Sequence, residues 1–189
     1  MKFQKSVVFL ITLLFAISLA ACGAESSKEA KQEPLQEKQG AAPADDRATE
    51  GEKADLETAL RYLSVSAFSP NGLVKQLQYE GFTMNEAVYA VNKCGADWNE
   101  QALKKAKTYL SVSAFSYRGL TEQLVYDEFH PTQANYAVEN CGADWNEQAA
   151  KKAQSYLDVS DFTRERLIDQ LKYEGFTADQ AEYGADAVM

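Results

Sequence analysis

The chain has 189 residues and carries 28 Asp and Glu against 19 Lys and Arg, a net charge of −9. An acidic balance of this size excludes a nucleic-acid binder, which needs a basic footprint to displace counterions from phosphates. One His narrows the available catalytic constellations, and three Cys are too few for a disulfide scaffold in a chain this long. Hydrophobic residues make up 46% of the chain but are unevenly placed, so the sequence is read by segment.

Residues 1–21 read as a signal peptide. Lys2 and Lys5 form a positive start, and Ser6 to Ser18 is an apolar run shorter than the ~20 residues a transmembrane helix needs. Leu19-Ala20-Ala21-Cys22 follows. This string resembles the bacterial lipobox, which implies a diacylglyceryl group on the Cys22 thiol and cleavage between Ala21 and Cys22. The alternative is an ordinary secretory signal that ends in Cys. Two acyl chains, at about 0.8 kcal/mol per buried CH₂, anchor a protein stably where one chain does not. The expected partner at this end is therefore the membrane, reached through the lipid, with the mature chain on its outer face.

Residues 22–52 read as a disordered acidic tether. From Gly23 to Glu52 there is no aromatic residue, and eight acids face four bases. Such a segment buries too little apolar surface to offset the entropy of ordering. As a coil its length corresponds to about 30 Å. A solvated helix over 26–39 is the alternative, given the helix formers there.

From residue 53 onward the sequence repeats with a period of 47: YLSVSAFS stands at 62–69 and 109–116, and CGADWNEQA at 94–102 and 141–149. The rows Leu77, Leu124, Leu171 and Phe82, Phe129, Phe176 keep the same register. A fixed period of this size marks tandem supersecondary units, here 53–96, 97–143 and 144–189. The predicted fold is all-α, with three short helices per unit. The first helix, over 98–110 in the second unit, starts at Asp97 with Glu100 three residues on, a capping-box pattern. The second starts at Ser69-Pro70, and Gly81 is placed to end it in the left-handed region. The third starts at Thr83 with Glu86 three residues on, runs through Ala87, Ala90, Val91 and Cys94 on its apolar face, and ends at Gly95. In the second unit Glu128 replaces Gly81 and His130-Pro131 replaces Thr83-Met84. The tight link between second and third helices is helix-turn-helix geometry in the general sense. It carries no implication of DNA binding, since residues 53–189 hold 20 acids and 13 bases.

The strings YLSVSAFS, the GLxxQL spacing before Phe82 and Phe129, and CGADWNEQA resemble the repeat of the host cell surface-exposed lipoprotein (Ltp) family. The resemblance covers Cys22 and essentially all of 54–189. It implies a lipid-anchored array of helical repeats on the outer face of a Gram-positive membrane. Some members of that family are prophage-encoded superinfection-exclusion proteins, which implies a phage tape measure protein as the possible partner. A chromosomal envelope protein that binds peptidoglycan or another cell-wall polymer, with repeat multiplicity supplying avidity, is the alternative function.

The remaining candidates read mainly as structural. Cys94 and Cys141 share one repeat position and are expected to be small buried core residues, with a disulfide as the alternative. Trp98 and Trp145 are expected to pack one unit on the next, with an exposed ligand-binding aromatic as the alternative. Tyr89, Tyr136 and Tyr183 are expected to be half-buried. His130 is expected to be exposed and inert. Lys104, Lys105, Lys107, Lys151 and Lys152 read as a solvated face with i,i+4 pairing to Glu100 and Glu147. No nucleophile–base pair, phosphate loop or metal-ligand spacing stands out, so neither an enzyme nor a cofactor is expected.

Overall fold

The structure, a computed structural model, describes residues 48–189. The expected signal peptide, the lipidation site Cys22 with its cleavage partner Ala21, and residues 22–47 of the expected tether lie outside them. Among the described residues there are nine α-helices and no strand. Unit 1 comprises α1 (Glu50–Val65), α2 (Pro70–Tyr79) and α3 (Met84–Lys93). Unit 2 comprises α4 (Trp98–Val112), α5 (Tyr117–Tyr126) and α6 (Pro131–Asn140), and unit 3 comprises α7 (Trp145–Leu157), α8 (Arg164–Tyr173) and α9 (Ala178–Asp186). The expected tether boundary at residue 52 falls inside α1. Thr49 caps that helix, its side chain accepting from Glu52 N while Glu52 accepts from Thr49 N.

The second helix of each unit ends in a Schellman turn, which explains the paired Leu and Phe rows. Phe82 N donates to Leu77 O at 3.3 Å and Gly81 N to Gln78 O at 3.0 Å. The same two bonds recur at Phe129–Leu124 and Phe176–Leu171, with Glu128 and Gly175 in the place of Gly81. The turn requires positive φ at its hinge, and Gly81 (104°) and Gly175 (96°) supply it without a Cβ penalty. Glu128 adopts φ 67°, at a cost of about 1–2 kcal/mol, and its carboxylate is paired with Lys75 of unit 1.

Each unit has its own core. Leu73 and Leu77, Leu120 and Leu124, and Leu167 and Leu171 are fully buried. Alanines line the contact between first and third helices: Ala59 with Ala87 and Ala90 in unit 1, Ala102 and Ala106 with Ala134 and Ala137 in unit 2. Small side chains let those helices approach closely. In unit 3 a Cβ on Gly184 would lie 2.7 Å from the Ala149 carbonyl carbon. Trp98 packs on the core of unit 1 and Trp145 on that of unit 2, where it meets Tyr117 edge-on at 5.5 Å. Each Trp starts the first helix of one unit while sealing the unit before it, as expected. Among the described residues each core draws on its own unit, with Trp98 added to the first and Trp145 to the second.

One expected cap and the reading of His130 are corrected. Asp97 accepts from both Asn99 N and Glu100 N, but Glu100 does not reach back. It accepts from the Tyr136 hydroxyl at 3.3 Å instead, so the box is half-formed. His130 is exposed but not inert: it is the N-cap of α6, with Nδ1 accepting from Thr132 N and Gln133 Oε1 accepting from His130 N.

Candidate functional site

A polar clamp recurs in every unit and fixes which side chains remain available at the surface. The first helix contributes a tyrosine, and the end of the second helix a Gln and an acid. The Tyr62 hydroxyl donates to Glu80 at 2.5 Å, Tyr109 to Asp127 at 2.6 Å and Tyr156 to Glu174 at 2.6 Å. Gln76, Gln123 and Gln170 donate to those same hydroxyl oxygens at 3.1, 3.3 and 3.0 Å. Burial and the neighbouring carboxylate both hold the phenols in the neutral, donating form: Tyr62 and Tyr109 titrate above the usual range and Tyr156 is pushed up to about 12. Lys105 completes the clamp of unit 2, 3.5 Å from Asp127, and Lys152 that of unit 3, 3.3 Å from Glu174. Two members of the expected solvated lysine face are therefore structural. Of the expected i,i+4 pairs, Lys151–Glu147 forms at 3.9 Å.

With the acid held by the tyrosine of the first helix, the residue before it is turned out. Tyr79, Tyr126 and Tyr173 end the second helices and are 86, 83 and 81% exposed. Val65, Val112 and Val159, also one per unit, are 78, 74 and 79% exposed. A solvent-facing aromatic and aliphatic at the same place in every unit form a repeated apolar display. Sequence reasoning singled out Tyr89, Tyr136 and Tyr183 instead; the first two are part-buried and the third is exposed. The missed signal was helical spacing. Tyr79 lies two residues beyond the buried Leu77, on the opposite side of α2.

Charge is graded along the array. Residues 53–96 hold four acids and four bases, 97–143 six and four, and 144–189 ten and five. Unit 3 thus carries −5, unit 2 −2 and unit 1 zero.

The other candidates are placed plainly. Cys94 and Cys141 are unbridged and part-buried, each thiol donating to a carbonyl one turn back, Val91 and Val138, at 3.2 Å. Burial pushes the Cys94 thiol up. Among the described residues no three His, Cys, Asp or Glu side chains gather as metal ligands. One buried acid stands apart. Asp55 in α1 is fully buried, its carboxylate oxygens have no hydrogen-bond partner among the described residues, and its pKa is raised from 3.8 to about 6 by desolvation and by Glu86.

Three tandem all-α units with a helix-turn-helix link, a shared clamp and an outward aromatic row define a tandem-repeat helical protein. The sequence profile of the host cell surface-exposed lipoprotein family matches residues 51–93, 97–141 and 144–188, and the chain belongs to that family. Among solved structures it is similar to Ltp, a superinfection exclusion protein from the Streptococcus thermophilus temperate phage TP-J34. The identity is 34%, over 50% of this chain and 98% of that one, with a TM-score of 0.48. No curated protein sequence matches.

Proposed function

We propose that this surface lipoprotein is held at the membrane by acyl chains on Cys22 and captures a basic segment of an incoming phage protein, blocking DNA entry. It acts by binding, without catalysis. The observation that carries this reading is the acidic grading toward unit 3 combined with an exposed tyrosine in every unit. Acidic surfaces steer basic ligands and accelerate their encounter, and aromatic faces hold Lys and Arg by cation–π contact. A phage tape measure protein is the partner that family membership makes the first to test, and exclusion, the activity named for Ltp, is the first assay. Avidity from three copies of the display compensates for a modest contact at each.

The test is expression of the full-length protein in a phage-sensitive Gram-positive host. Adsorption is expected to be normal while DNA release into the cytoplasm falls. Replacing Tyr79, Tyr126 and Tyr173 together by Ser, all at exposed positions, should abolish most of the protection without unfolding the array. Equal infection of expressing and non-expressing cells by a panel of siphophages overturns the reading. Retention of the array on purified cell walls would then favour the envelope-polymer alternative.

The anchor has its own check. Cys22→Ser removes the acyl acceptor, so the variant should lose radiolabelled palmitate and membrane retention together. Continued labelling of that variant refutes lipidation at Cys22.

A further inference from the structure

The joints between units are built alike. The hydroxyl of Ser69, N-cap of α2, donates across the joint to the Asp127 carbonyl at 2.6 Å, and that of Ser116, N-cap of α5, to the Glu174 carbonyl at 2.7 Å. Both serines are buried, and each also accepts from the glycine three residues on, Gly72 or Gly119. Those glycines lie against the turn: a Cβ on Gly119 would be 3.4 Å from the Glu174 carbonyl oxygen and one on Gly72 4.0 Å from that of Asp127, already in van der Waals contact. A cation next to the start of the helix adds a bond, Lys75 to Glu128 in the first joint and Arg118 to the Tyr173 carbonyl in the second. The joint is thus a helix start of the form Ser-x-x-Gly seated on the Schellman turn of the following unit.

The two ends of the array differ. Among the described residues nothing covers the turn at Glu80–Gly81 of unit 1: a Cβ on Gly81 would meet none of them within 4 Å, whereas one on Gly175 would lie 2.6 Å from Arg118 Nε. At the other end the helix start of unit 3 is Thr163-Arg164-Glu165-Arg166, all exposed. Arg166 stands where Gly72 and Gly119 stand, Glu165 where Arg118 stands, and Asp169 where Lys75 stands.

We propose that the Glu80–Gly81 turn is an open docking site for a partner helix that begins Ser-x-x-Gly, and that Arg166 and Glu165 keep a second copy of this chain from filling it. A head-to-tail contact that does not close generates open filaments, and repeat arrays need altered terminal units to stay soluble. Arg166 puts a long side chain where each joint has a glycine already in contact with the turn. Glu165 would set an acceptor, in place of the Arg118 donor, against a turn carbonyl, and Asp169 stands where Lys75 supplies a cation.

The test uses the array 48–189. A donor chain carries Thr163→Ser, Glu165→Arg and Arg166→Gly to copy the second joint, where a Cβ on the turn glycine would lie 2.6 Å from Arg118 Nε and 2.8 Å from Ser116 Oγ, and Gly81→Asn blocks its own acceptor turn on that ground. Far-UV helicity and melting confirm that it folds, and Arg166→Gly alone is the milder second donor. Donor and wild-type chains are mixed at about 1 mM, the effective concentration that a short linker provides inside the chain. The sedimenting mass is expected to double on mixing, and the Gly81 and Phe82 amide resonances of the wild-type chain to shift. Wild type alone should stay at one chain, and Gly81→Asn in the recipient should remove the complex. Folded donors that leave mass and resonances unchanged overturn the proposal, as does assembly of the wild-type chain by itself.

Discussion

Replacing Asp55 by alanine should stabilise unit 1 by about 2–3 kcal/mol at pH 7. The carboxyl is buried without a hydrogen-bond partner and faces Glu86 across the α1–α3 contact, where the Thr83 amide and hydroxyl hold Glu86 ionised. At the equivalent position units 2 and 3 have Ala102 and Ala149, both fully buried, so the fold accommodates a methyl group there. The pH dependence has a definite sign. Folding raises the Asp55 pKa from 3.8 to about 6, so between those values the folded chain holds a proton that the unfolded chain lacks. Stability of the wild-type unit therefore falls as pH rises through this window. The advantage of Asp55→Ala should be greatest above pH 6 and shrink toward pH 4, leaving only the cost of burying an unpaired neutral carboxyl. Denaturant unfolding at pH 4 and pH 7 measures it. A destabilised variant at pH 7, or a difference independent of pH, contradicts this account of the site.

Leu124→Ala should have the opposite sign and a cost of about 2–5 kcal/mol. Leu124 is fully buried in the core of unit 2, and its carbonyl accepts the Phe129 bond of the Schellman turn. That turn presents the Asp127 carbonyl to Ser69, so loosening the leucine disturbs the joint to unit 1 as well as the core. In an array whose stability is a sum of unit and interface contributions, damage to the middle unit weakens both neighbours. The melting transition should therefore drop further for Leu124→Ala than for Leu171→Ala in unit 3. An unchanged melting curve would show that the leucine row is not the core.

The fold was legible where a structural element depends on a few adjacent residues. Ser69-Pro70, Thr83 with Glu86, and the glycine at position 81 each specify a cap or turn locally, and each forms as the sequence predicts. Repeat alignment failed at the first cap. Asp97 aligns with Glu50, but the cap of α1 is Thr49, one residue earlier. It also failed at Glu100, because Asp97 alone satisfies two amides and the glutamate is drawn to Tyr136. The candidate surface was only partly legible. A repeated tyrosine can be core or display, and periodicity of 47 does not separate them; the clamp that ties Glu80, Asp127 and Glu174 to the first-helix tyrosines decides it. Asp55 aligns with Ala102 and Ala149, a departure the sequence reading passed over, and its isolation depends on what α3 brings against it. The joints bring together residues 58 apart in sequence. Only the packing of one unit on the next gives the Ser-x-x-Gly string its meaning.

The closing of each unit on itself sets how the chain reaches this state. Every extensive helix pairing, such as α1 with α3 or α7 with α9, joins elements of one unit. The loops that must close are therefore short, and closure entropy grows only slowly with their length. Low contact order of this kind gives fast folding, with a rate governed by a segment of one unit rather than by the whole chain. A chain emerging N-terminus first can complete unit 1 before unit 2 exists, and Trp98 then completes the seal as soon as the next helix begins.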